Sequence, residues 1–363
     1  MMGMRERFRG CLIGGAVGDA LGAPVEFMRY GEIVRRHGTD GIRDYVPAYG
    51  VTGAITDDTQ MTLFTAEGLL RAHVRGSKRG LTTYPGVTDH AYLRWLETQG
   101  IRSPIEIGRD GWLWDVKELH HSRAPGRTCL GALETKRGFG EPANNDSKGC
   151  GGVMRVAPVG LFAWHNRNAD NCAAKTFDLA SEIAGLTHGH PSGQWPAGVL
   201  ALLVMRSLEG VSFRDALIEA KAILRTKSRH QETLNAILMA EALAASGNHP
   251  SAGEVEKLGA GWVAEEALAI GLYCALVAED FEHGVALAVN HGGDSDSTGS
   301  IAGNLLGAMM GEDAIPGRWR KPLELAETIS TIAEDLHDFP SWKIGEDVDG
   351  GDNERILARY PGW

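Results

Sequence analysis

With 363 residues, 36 basic against 47 acidic side chains and a formal charge of −11, the chain is 43% hydrophobic and contains 48 glycines. That composition excludes fibrous and disordered classes, leaves room for one large domain or two ordinary ones, and lacks the basic footprint that sequence-independent nucleic-acid binding requires. The five cysteines form no CxxC pair and are odd in number, which argues against a zinc knuckle or a disulfide framework and fits a reducing cytoplasm.

At the start of the chain, Arg5, Arg7 and Arg9 precede an apolar run from Cys11 to Val17 in the order of a secretion signal; Asp19 and the shortness of the run speak against that reading. No stretch reaches the roughly 18 to 20 apolar residues that span a bilayer, so a soluble protein with no membrane partner is expected. Gly10, Gly14, Gly18 and Gly22 recur every four residues, and Gly299, Gly303, Gly307 and Gly311 repeat the device. A helical glycine costs about 1 kcal/mol relative to alanine, so each row predicts a helix face that another backbone approaches closely. Gly22, beside Pro24, reads as a cap or loop position instead.

Thr56-Asp57-Asp58-Thr59-Gln60 opens a periodic run from Met61 to Val74 and reads as a helix start capped by Thr56 or Asp57. Residues 76–88 and 136–152 are rich in Gly, Pro, Ser and Asn and read as loops, and His120-His121 as a solvated loop. Helical periodicity returns at 195–209, 213–225, 231–246 and 261–279, while strand-type alternation is scarce. The expected fold is mainly helical, and no domain boundary is placed at either loop because composition does not shift across it.

Asn290 to Gly299 is a second small-residue loop entering a helix, and it carries both Asp294 and Asp296 where capping needs one carboxylate. Asp294, Asp296, Thr298, Gly299 and Ile301 match a calcium-binding loop, but Leu305 stands where that loop requires a bidentate carboxylate. If the two acidic helix starts meet, four carboxylates gather at positive helix ends and repel one another unless cations lie between them. An all-oxygen set selects hard ions such as Mg²⁺ or Mn²⁺.

Four stretches, Phe8 to Gly22, Thr56 to Thr59, Ser147 to Pro158 and Gly292 to Ser297, resemble in content and order the motifs of the ADP-ribosylglycohydrolase family. The likeness covers residues 8–311 and implies an all-α fold, a compact single domain over residues 1–363 built as a helical bundle with a central binuclear metal site, residues 76–130 being a lid or insertion. It implies Thr56, Asp57, Asp58, Asp294, Asp296 and Ser297 as ligands of two Mg²⁺ or Mn²⁺ ions. Ser295 and Ser297 depart from the threonines usual in the family. The resemblance places Glu26 near the anomeric carbon, with Asp296 as the competing base, and neither is assigned as acid or base from sequence. Ser147, Gly149, Cys150 and Gly151 are implied at the diphosphate and adjoining ribose, Cys150 standing where relatives have a small polar residue, and His188 at the ribose or adenine side. Arg155 reads either as a phosphate ligand or as a buried structural arginine, and a His188-x-His190 zinc pair lacks a cysteine at a recognised spacing. The implied activity is cytoplasmic hydrolysis of an ADP-ribosylated protein, ADP-ribosylarginine first among the acceptors, releasing ADP-ribose. The rival from another class is a catalytically silent protein that binds ADP-ribose or an ADP-ribosylating toxin.

Overall fold

The structure, a computed structural model, describes residues 3–344 and 351–362. Among them the fold is all-α as expected, and the strands are limited to Pro47–Ala48 and Val51–Thr52, an antiparallel hairpin turning at Tyr49 and Gly50. The four later helices predicted from periodicity appear as Trp195–Leu208, Phe213–Leu224, Gln231–Ala245 and Ala264–Val277. Residues 76–88 need correction. The helix that starts at Asp57 runs on to Arg79, where Gly80 caps it in a left-handed conformation, and the next spans Tyr84–Thr98. Composition misleads there because Pro85 falls in the first turn of a helix, where its missing N–H is not needed. The 294–305 stretch is no calcium loop, since a helix begins at Ser295 and Leu305 is fully buried in it.

The two glycine rows meet. The Met4–Gly22 and Ser295–Met310 helices lie antiparallel, with Gly10 opposite Gly307, Gly14 opposite Gly303 and Gly18 opposite Gly299. A Cβ built on Gly10 would lie 2.5 Å from the Gly307 carbonyl oxygen, so no larger residue fits without parting the helices. The sequence reading of the row ends is reversed. Gly22 is helical and packs on the Ser295 carbonyl, whereas Gly311 is the cap, at φ 77°. Around this pair the buried apolar residues form one continuous cluster from Phe8 to Tyr360. Among the described residues, no helix is long and apolar enough to cross a membrane.

Antiparallel packing brings the end of the first glycine helix against the start of the second. A third helix end joins them through Asp19, whose carboxylate accepts the Thr56 N–H at 3.0 Å and the Thr59 N–H at 3.1 Å. The Asp57–Arg79 helix therefore starts at the same point in space, although its first turn is far from residues 294–297 in the chain.

Candidate active site

These three helix ends enclose a cavity of about 540 Å³. Glu26 and Phe27 enter it from the turn after the first helix, Asp57 and Asp58 from the second helix start, and Asp294, Asp296 and Ser297 from the third. Cys150 and Gly151 face it from the glycine-rich loop, and Ala124 to Arg127 close another wall. Glu26, Asp294 and Asp296 each offer an oxygen within 4.8 Å of the others. Local hydrogen bonds hold the carboxylates in place. Asp57 Oδ2 accepts the Gly126 N–H at 3.0 Å, Asp296 Oδ1 accepts the Ser297 N–H at 3.0 Å, and the Cys150 thiol donates to Asp294 Oδ2 at 2.8 Å. Thr56 acts as the N-cap, its hydroxyl accepting the Asp58 N–H at 3.3 Å, and it is buried behind the cavity wall.

Burial and mutual repulsion govern the charge of this cluster. Burial pushes Asp57, Asp58 and Asp294 well above the usual carboxylate range and raises Asp296 as well. Glu26 is pushed up to about 11, first by burial and then by the charges of Asp296, Asp294 and Asp57. Asp58 Oδ1 and Glu26 Oε2 are buried with no hydrogen-bond partner among the described residues. Unpartnered, closely spaced carboxylate oxygens are a poor arrangement for a cation-free protein and a good donor set for hard divalent ions.

The remaining expected residues lie at one side of the cavity. Ser147 and Gly149 do not line it; the Ser147 hydroxyl is 3.0 Å from that of Thr128. His188 is 1% exposed and sits beneath the loop, so that a Cβ on Gly149 or Gly151 would touch its imidazole. Its Nδ1 is 2.8 Å from the Thr187 hydroxyl, and burial holds its pKa down at about 3, leaving the ring neutral. Arg155 takes the structural alternative: it is fully buried, donates to the Thr187 hydroxyl at 2.6 Å and lies over the Tyr92 ring at 4.4 Å.

Sequence reasoning missed Asp19, Phe27, Arg127 and Trp262. Asp19 carried a signal, a lone acid within an apolar, glycine-rich helix. Arg127, the one basic residue on the cavity wall among the described residues, lies in a segment with no motif, and Trp262 falls in the 261–279 run read as helical, whose helix begins only at Ala264.

The chain matches the ADP-ribosylglycohydrolase family over residues 2–343. It belongs to that family. Among its relatives are the ADP-ribosylarginine hydrolase Tri1 of Pseudomonas putida, 26% identical over 92% of this chain and 78% of that protein, and the ADP-ribosyl-[dinitrogen reductase] glycohydrolase of Rhodospirillum rubrum, 27% identical over 89% and 92%. A solved structure titled ADP-ribosylglycohydrolase-related protein complex is 29% identical and superposes with a TM-score of 0.66 over 92% of this chain and 98% of that one. Family membership supports hydrolysis of an ADP-ribosyl linkage as the general reaction.

Proposed function

We propose that the chain hydrolyses the glycosidic bond between ADP-ribose and a modified acceptor, ADP-ribosylarginine on protein first among them, and releases ADP-ribose. The observation that carries this reading is the convergence of five carboxylates from three helix ends on one cavity of about 540 Å³, with oxygens of Asp58 and Glu26 left without partners. That volume lies within the usual range for small-molecule sites.

Thr56, Asp57, Asp58, Asp294, Asp296 and Ser297 would hold two Mg²⁺ or Mn²⁺ ions. When bound, the ions neutralise the cluster and supply Lewis acidity toward the vicinal hydroxyls of the distal ribose. Asp57 and Asp294 are fixed by their hydrogen bonds to Gly126 and Cys150, so the donor set is oriented before substrate arrives. Glu26 and Asp296 are the groups that move protons, one to the departing atom and one from the attacking water, as the ribose passes through an oxocarbenium-like transition state. Cys150 and Gly151, which line the cavity, would border the diphosphate, with Ser147, Gly149 and the buried His188 supporting that loop from outside the cavity wall. The arginine acceptor is supported by the named activity of the Pseudomonas putida relative.

The test is release of free ADP-ribose from arginine-linked, serine-linked and polymeric substrates with Mg²⁺ or Mn²⁺. Release from the arginine linkage is expected, falling about 10³-fold or more in an Asp57→Ala/Asp296→Ala variant. Tight ADP-ribose binding without release from any linkage would overturn the hydrolase reading in favour of a silent binder.

A further inference from the structure

We propose that Phe27, backed by Trp262, forms the subsite that receives the acceptor's guanidinium and so selects arginine linkages; this rests on the hydrolase reading above. Phe27 directly follows Glu26 and holds a left-handed backbone, φ 66°, which a bulky residue adopts only at a cost. Its side chain is 69% exposed. Even so the ring is held in place, stacked on Trp262 with centroids 5.3 Å apart and planes 18° from parallel. Trp262, 41% exposed, is anchored to the opposite wall of the cavity: its carbonyl accepts the Cys150 N–H at 3.2 Å, and its neighbour Val263 pairs with Gly149. Two stacked rings thus meet at the cavity's edge, one fixed to the Glu26 turn and the other to the glycine-rich loop.

Folding alone gives no reason for this arrangement. Glycine at position 27 would remove the backbone cost, and a polar residue would remove the exposed apolar surface. The neighbours indicate what a third planar group on the stack would be. On the hydrolase reading the bond breaks at Glu26, which clusters with Asp294 and Asp296, so the group that departs does so beside residue 27. A guanidinium is planar, cationic and weakly hydrated, and an aromatic face attracts it. A serine side chain has neither the plane nor the charge. An adenine ring also stacks on aromatics, but in ADP-ribose it lies at the far end of the molecule from the bond that breaks.

The experiment compares Phe27→Leu, which keeps apolar bulk without a π face, with Phe27→Tyr, which keeps both. Turnover of ADP-ribosylarginine and calorimetric binding of ADP-ribose are measured for each, after a thermal melt shows that the variants fold. The expected result is a roughly tenfold fall in kcat/KM for Phe27→Leu, recovery to within about twofold for Phe27→Tyr, and ADP-ribose affinity within about twofold throughout. An ADP-ribose affinity that falls in parallel assigns the ring to the nucleotide and overturns the proposal, as does an unchanged kcat/KM. A wild-type enzyme that cleaves only oxygen-linked ADP-ribose overturns the guanidinium subsite and leaves the hydrolase reading standing; one that cleaves no linkage overturns both.

Discussion

The Asp19 carboxylate accepts two amide N–H groups, from Thr56 and Thr59, together with the Thr59 hydroxyl, and by doing so sets where Asp57 and Asp58 point. Burial and the nearby charge of Asp296 push its pKa up to about 7, yet those donors keep it a useful acceptor. Asp19→Asn removes one acceptor oxygen and turns a donor toward buried N–H groups. It is expected to cost about 2 kcal/mol of stability in urea unfolding and about 10- to 100-fold in Mn²⁺ affinity by calorimetric titration. A variant with unchanged Mn²⁺ affinity would show that Asp19 does not position the site. Asp294 and Asp296 stood out in the sequence because the pair exceeds what an N-cap requires, whereas Asp57 and Asp58, on their own a capped helix start, stood out through their likeness to the family's motif. Asp19 was not, because its partners are backbone amides and leave no mark on residue type. Phe27 was equally hidden, since nothing in a single sequence reports a positive φ.

Helix periodicity and the four-residue glycine spacing together disclosed the central pair of elements before any coordinates, because close backbone approach excludes every side chain and so writes itself into composition. The row ends were misread for an equally physical reason: a terminal glycine serves as cap or contact according to the partner it meets, and Gly22 meets the Ser295 carbonyl. The consequence is testable by contrast. Gly303→Ala gains about 1 kcal/mol of intrinsic helix propensity but drives its Cβ into the Gly14 carbonyl, so a net loss of about 3 kcal/mol in chemical denaturation is expected. Gly31→Ala, in the Tyr30–His37 helix with nothing within 4 Å of the added Cβ, is expected to stabilise by up to about 1 kcal/mol. Equal effects at the two positions would refute the packing argument. Loops were read unevenly: 136–152 is largely irregular as expected, but Pro85 suggested a loop where a helix begins, and the 124–127 wall carried no pattern at all.

Across the whole molecule the pH dependence of stability is expected to follow the buried carboxylate cluster. A carboxyl whose folded-state pKa is raised binds its proton more tightly when native, so the stability it lends is present at acid pH and lost as pH rises through the folded value. Asp19 moves from 3.8 to about 7 and Glu26 from 4.5 to about 11, which places the loss from roughly pH 4 upward. Divalent cations held in the cluster, as proposed, would offset that loss. The gap between melting temperatures in Mn²⁺ and in chelator is therefore expected to widen between about pH 5 and about pH 8, whereas a gap that stays constant would place no cation there. Buried neutral histidines, His188 at about 3 and His291 at about 4, weaken the fold on the acid side in both buffers and so cancel from the difference. The glycine contact also bears on biosynthesis. Cys11 and Asn304, one on each helix, meet across 293 positions, so at about 5 to 20 residues per second the ribosome releases the first helix tens of seconds before its partner exists. Its glycine face has no partner for that interval, so the core of the fold cannot close until the Ser295–Met310 helix has left the ribosome.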